Sequence, residues 1–170
     1  MKNYKLSDET KTLPWGTVLH RVVATTTFTL ACGLTIHEGD VGGWIEKESN
    51  LSGNAWVADN AHVYGDALIS GDALISGNAW VSDSAKVFGN TLVCDNAWIH
   101  GDALVTNTSD YVVFKNNWSS GRYFTWTKSN DKWLVGCFYG TGDELIKKAY
   151  ADSEDNGERY EACVKLVKTV

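Results

Sequence analysis

Histidine is the residue type in this chain best suited to acid–base work, because an imidazole titrates near neutral pH and can take a proton from a hydroxyl or an amine. There are four: His20, His37, His62 and His100. His62 and His100 lie in a repetitive stretch where side chains stack, which makes them the two candidates for a general base. A metal centre would need several histidines converging on one point, and no such spacing is visible, so no metal site is expected. Cys32, Cys94, Cys137 and Cys163 stand far apart without a Cys-x-x-Cys pair. They read as ordinary thiols rather than as zinc ligands or a disulfide framework.

Two other stretches invite ligand chemistry. GTGDEL follows a strand-like run and opens a helix, and helix N-terminal amides can hold an anion. It matches neither the dinucleotide fingerprint nor a P-loop, and a turn with a cap is the simpler reading. Further along, Trp118, Arg122, Tyr123, Trp126, Trp133 and Tyr139 gather aromatic rings around one arginine. Most such rings build a core. An arginine among rings is also how proteins hold bases or phosphates, so Arg122, Tyr123 and Trp126 are candidate ligand-binding residues. No cofactor is implied by any motif.

The element that must position the histidines is a repeat. From Ile45 the chain divides into ten six-residue units without insertion: IEKESN, LSGNAW, VADNAH, VYGDAL, ISGDAL, ISGNAW, VSDSAK, VFGNTL, VCDNAW and IHGDAL. Every unit opens with Ile, Leu or Val. After the first unit, position three is Gly or Asp and position five is Ala or Thr. A helix period of 3.6 cannot produce this, and hairpins need turn signals at wider spacing. A solenoid with three units per coil does: the opening aliphatic points inward, the small fifth residue fits near the corner, and Gly, Asn and Asp serve the bends.

Residues 18 apart then lie one above another. Trp44, His62, Trp80 and Trp98 form one outward column, with Glu46, Tyr64, Ser82 and His100 beside it. A second face carries Trp56, Leu74 and Leu92. Exposed apolar faces of this size mark interfaces, so the columns with Tyr64 and His100 are expected to bind a partner or a second subunit, with one of the two faces open to cover by the C-terminal part of the chain. The alternative is that the rings stack only to stabilise the sheet.

This pattern resembles the hexapeptide-repeat, left-handed parallel β-helix family over about residues 45 to 104. The resemblance implies a mainly β fold: about three coils, an N-terminal β cap and a small C-terminal α+β module. The segment EGDVGGWIEKESNLSGNAWV, with SGRYFTWT and GCFYGTGDEL, further resembles small phage and prophage proteins that carry a short hexapeptide helix. That likeness implies a non-enzymatic binding protein that engages a host protein, for example as an inhibitor of a bacterial defence system such as CRISPR. It also implies a homo-oligomer, trimer or dimer. Acyltransferases using acyl-coenzyme A belong to the wider family and give an alternative, although no loop interrupts these units as it often does in those enzymes. Sequestration of a signalling nucleotide is another.

Charge separates the parts. Residues 1–44 hold four basic and four acidic side chains, 45–104 hold two and eight, and 105–170 hold nine and nine, so the net charge of −6 sits in the repeat. With an isoelectric point near 5.1, direct binding of nucleic acid is disfavoured, because phosphates need clustered Lys and Arg. Six of the acids, Asp59, Asp66, Asp72, Asp83, Asp95 and Asp102, fall at corners, either for turn geometry or to meet a basic partner. No apolar run near 20 residues spans a membrane, and the start MKNYKLSDET lacks a signal peptide's apolar stretch, so a cytoplasmic location in a bacterial host is expected.

Three segments result: 1–44 as lead-in and β cap, 45–105 as the β-helix, and 106–170 as the α+β module. In the first, MKNYKLSDETKTLPW reads as a polar lead-in, followed by strands in GTVLHRVVA and TTTFTLACGLTI. In the last, DYVVFKN, GRYFTWTKS and KWLVGCFYG read as three strands. GDELIKKAYADS reads as a helix broken at Gly157, and ERYEACVKLVKTV as a second helix or a terminal strand.

Overall fold

The computed structural model describes residues 2–169. Its centre is a β-solenoid of about three turns. The rungs are two-residue strands: β6 Trp56–Val57, β7 His62–Val63, β8 Leu68–Ile69, β9 Leu74–Ile75, β10 Trp80–Val81, β11 Lys86–Val87, β12 Leu92–Val93, β13 Trp98–Ile99 and β14 Leu104–Val105. They stack in parallel into three faces, β7-β10-β13, β8-β11-β14 and β6-β9-β12. The register is the 18-residue one, with Trp80 paired to both His62 and Trp98.

Each structural choice follows from the hexad. The opening aliphatics from Ile45 to Val105 are all sealed inside, none more than 2% exposed. Position five is equally buried, from Ala55 to Ala103. The exception in type, Thr91, keeps its hydroxyl satisfied on the Phe88 carbonyl at 2.7 Å. All nine position-three residues from Gly53 to Gly101 have positive φ, with Asp59, Asp83 and Asp95 standing where the others are glycine. A left-handed residue is what turns the chain at each corner, and Asp is among the few non-glycine residues that accept it.

The two open ends are closed differently. At the start, β1 Tyr4–Thr12 and β2 Val18–Ala24 pair antiparallel, and β2 pairs with β5 Val41–Ile45, which runs parallel to β7. One sheet thus continues from the cap into the first solenoid face. The supposed polar lead-in is therefore a strand: Tyr4 is buried and Leu6 packs on the core while the charged residues face out. Pairing with β2 overrides the polar composition there. A short hairpin, β3 Phe28–Thr29 with β4 Thr35–Ile36, accounts for TTTFTLACGLTI.

At the far end the last coil has no next coil to receive its N–H groups. Side chains of the following module substitute. Cys94 N–H donates to the Tyr111 hydroxyl at 3.3 Å, Trp98 N–H to Thr125 Oγ1 at 3.0 Å, and Leu104 N–H to Ser129 Oγ at 2.7 Å. Unmet backbone donors at a covered edge are costly, and these hydroxyls remove the cost.

The module is a four-stranded antiparallel sheet of β15 Tyr111–Lys115, β16 Tyr123–Thr127, β17 Lys132–Val135 and β18 Phe138–Gly140. KWLVGCFYG is thus two strands, because Gly136 takes positive φ and folds a tight turn with Cys137. Helices α1 Gly142–Asp152 and α2 Glu154–Val167 cover the sheet around Phe124, Trp133, Leu145 and Val164. The first helix ends at Ser153, whose extended backbone breaks it and whose hydroxyl caps α2. Gly157 lies inside α2 rather than at the break; a Cβ there would collide with the Tyr150 ring, so glycine permits the close approach of the two helices.

Ile75, wholly enclosed, and Lys86, exposed at the outward position of its rung, give a direct contrast. Ile75→Ala is expected to cost ~2–5 kcal/mol of unfolding free energy, and Lys86→Ala within about 0.5 kcal/mol. Equal, small losses in urea melts would contradict the packed interior.

Candidate functional site

The face formed by β5, β7, β10 and β13 carries the ring column. His62 and Trp80 have centroids 4.8 Å apart, and Trp80 stacks on Trp98 at 5.1 Å with planes inclined by 23°. The column is graded in exposure. Trp44 and His62 are buried, Trp80 is half-buried and Trp98 is 37% exposed.

The buried end is sealed by the N-terminal strands. Arg21 lies over the Trp44 ring at 4.3 Å, a cation–π contact. Lys11 Nζ donates to His62 Nε2 at 2.9 Å, which requires the neutral imidazole with its proton on Nδ1. Burial drives the His62 pKa down to about 4, with Lys11 and then Arg21 acting in the same sense and the Asn60 backbone opposing. His62 is therefore a neutral, enclosed spacer in the ring column.

The open end forms a cleft. Its floor is Tyr64, Trp80, Ser82, Trp98 and His100. One rim is Trp15, set at the tip of the β1–β2 turn, with its ring 5.8 Å from Tyr64 and 5.9 Å from Trp80 while itself 56% exposed. The other rim is the β17–β18 hairpin, through Leu134, Gly136, Cys137 and Tyr139. Beyond Trp98 the cleft continues into a second cavity lined by Asn96, Arg122, Tyr123, Phe124 and Thr125. The two cavities measure about 250 and 230 Å³ and share Trp98, Leu134 and Gly136.

Column geometry also builds a Ser–His–Asp set. Ser82 Oγ lies 3.0 Å from His100 Nδ1, and Asp83 Oδ2 lies 3.0 Å from His100 Nε2. Tyr139 meets the His100 ring edge-on at 4.9 Å. Ser82 is only 4% exposed, and the set braces the cleft floor. Burial raises the Tyr64 and Tyr139 phenols, keeping both as O–H donors.

Several expected surface residues are elsewhere. Trp56 and Leu74 are buried, because Phe28 of the β3–β4 hairpin packs edge-on against Trp56 at 5.9 Å. Leu92 is half-buried, and its carbonyl accepts from the Tyr111 hydroxyl. That face is covered within the chain, by the N-terminal hairpin as well as the C-terminal module, so Trp56 and Leu74 are not partner contacts. Trp126 is buried with its indole N–H on Asp131 at 2.8 Å, a core position rather than a ligand contact. Arg122 and Tyr123 are exposed and line the second cavity. GTGDEL is a capping box: Glu144 N–H donates to Thr141 Oγ1 at 3.3 Å and Thr141 N–H to Glu144 Oε2 at 2.8 Å.

The corner acids have internal partners. Asp59 accepts from Gly77 N–H, Asp66 pairs with Lys47, Asp72 accepts from Asn54 and Asp102 from Asn130. Trp15 and Lys11 were not marked as site residues, because a polar lead-in hides them; the Pro14-Trp15-Gly16 turn was the available signal. Among the described residues there is no cluster of His, Cys, Asp and Glu able to hold a metal, and no helix long and apolar enough to cross a membrane. Neither protein-family models nor curated proteins match the chain.

A histidine whose folded pKa is depressed makes the unfolded state the better proton binder, so stability falls as pH drops from about 6.5 toward about 4. Urea melts across that window are expected to show this slope, and His62→Gln to flatten most of it. An unchanged slope in His62→Gln would place the titration elsewhere.

Proposed function

We propose that this chain is a non-enzymatic binding protein that captures its target in the cleft between the Trp15 turn, the Trp80–Trp98 stack and the β17–β18 hairpin. The observation that carries this reading is the graded ring column. The N-terminal strands bury Trp44 and His62, yet Trp98, Trp15 and Tyr139 stay more than one-third exposed around one concavity. Rigid rings with few torsions lose little entropy on binding, and aromatic residues are favoured anchors.

Stoichiometric capture suits the setting that the repeat's likeness to small phage proteins brings with it. An inhibitor of a bacterial defence system needs affinity and rigidity, not turnover. The internal pairing of the corner acids weakens the case for a basic partner drawn to them. Self-association would use the remaining solenoid face, Leu68, Lys86 and Leu104, which the caps leave uncovered. Against the acyltransferase alternative stand the enclosure of His62 and the burial of Ser82 beside His100.

The purified protein is expected to give no turnover of acetyl-coenzyme A above blank across an acceptor panel, and to retain a component of bacterial extract that Trp98→Ala releases. Turnover abolished by His100→Ala would overturn the reading, as would retention indifferent to Trp98→Ala with the fold intact by circular dichroism.

A further inference from the structure

The residues lining the two joined cavities include no aspartate, glutamate or lysine. Arg122 is their one permanent charge. In a chain of net charge −6, whose nearest carboxylates here, Asp83, Asp102 and Asp152, stand on His100, on Asn130 and in the cavity on the other side of Arg122, a guanidinium in the lining supplies a local positive charge. Arg122 Nη1 lies over the β17–β18 turn, so close that a Cβ on Gly136 would stand 3.2 Å from it. Among the described residues no carboxylate pairs with it within ion-pair distance. A planar guanidinium left unpaired at a cavity wall is suited to bidentate contact with an anionic oxygen pair.

A second observation concerns the ring column. Its outermost member, Trp98, is shared by both cavities, and beyond it stand Tyr123 and Arg122. The stack of Trp80 on Trp98 has a spacing of 5.1 Å, and a flat ligand ring placed against Trp98 extends it by the same physics. Asn96 adds a carboxamide in the second cavity, donor and acceptor together. Each cavity, at about 230–250 Å³, is smaller than the ~300–1,000 Å³ of ordinary small-molecule sites, so a base and its phosphate need the two joined rather than either alone. Neutral sugars also stack on indoles, but they have no use for an unpaired arginine.

We infer that the cleft binds a nucleotide: the base stacks on Trp98 and takes hydrogen bonds from Asn96, and a phosphate is held by Arg122. This rests on the cleft being the binding site, and it names the class of ligand captured there. Arg122 in the lining, with Lys115 Nζ 5.4 Å from the Tyr123 ring, serves a small nucleotide, whereas a nucleic-acid chain needs a longer run of cations along its backbone.

Calorimetry and quenching of tryptophan fluorescence test it on the full chain. The probes are 5′-AMP, 5′-GMP, 5′-UMP and cyclic di-GMP, with adenosine, guanosine, inorganic phosphate, maltotriose and a proline-rich peptide as comparison arms. At least one nucleotide is expected to bind, and its nucleoside ~10-fold or more weaker, the size of a lost charge-assisted contact. Arg122→Gln is expected to remove that difference, Arg122→Lys to restore part of it, and Trp98→Leu to weaken nucleotide and nucleoside alike. Equal affinity for nucleotide and nucleoside, or an Arg122→Gln variant that binds as the parent does, would overturn the assignment. Binding of maltotriose or the peptide instead, lost in Trp98→Leu, would overturn the nucleotide while leaving the cleft as the capture site. Absence of binding by every probe overturns the nucleotide inference. It leaves the capture reading to the extract experiment with Trp98→Ala.

Discussion

A hydrogen bond from each outward residue's N–H to a carbonyl seventeen positions later is the constraint on which the structure depends. His62 donates to Ala79, Trp80 to Ala97 and Lys86 to Ala103 at 2.8–2.9 Å. It holds only if every corner turns by the same amount, which is why nine successive position-three residues share positive φ. With the corners fixed, the interior accepts only small or branched aliphatic groups, and the outward side chains are forced into columns. The ring stack, the Ser82–His100–Asp83 brace and the cleft floor are all consequences of that spacing. None of them needs a long-range loop to assemble it.

What the solenoid cannot do is end itself. The first coil is continued by antiparallel strands, and the last by hydroxyls of Tyr111, Thr125 and Ser129. The same two caps that satisfy the backbone also create the site. The β1–β2 turn brings Trp15 over Trp80, and the β17–β18 hairpin brings Tyr139 over His100. The concavity therefore exists because two unrelated pieces of chain were needed at opposite ends of one face. Stability and the capacity to bind share a cause.

This division explains how far the amino-acid order could be read. The inward aliphatics, the small fifth residues, the column Trp44–His62–Trp80–Trp98 and the pairing of Ser82 with His100 follow from a period of six, a local and repeated signal. The caps carry no period. Nothing in KLSDETK announces a strand, because β2 and the buried Tyr4 and Leu6 supply the reason. Phe28 sits in a threonine-rich hairpin, so its cover over Trp56 was not legible; the sequence pointed to the C-terminal module or a second subunit instead. The Gly136–Cys137 turn lies inside an apolar run, and Gly157 looks like a helix breaker until the neighbouring Tyr150 ring is seen. Arg122 and Tyr123 were legible as a cluster. The alternation of strand β16 separates Tyr123 from Trp126, which faces the core, whereas Arg122 precedes the strand and stays exposed at its edge.

The account stands on Trp80 and Trp98 being vertical neighbours, and the near-ultraviolet and far-ultraviolet circular dichroism of their indoles reads that contact. Rings 5.1 Å apart and nearly parallel couple as excitons. A couplet in the parent that vanishes in both Trp80→Phe and Trp98→Phe, and loses nothing further in the double variant, is the predicted result. Independent, additive losses from the two substitutions would mean that the rings do not touch, and would contradict the register, the ring column and the cleft built on it.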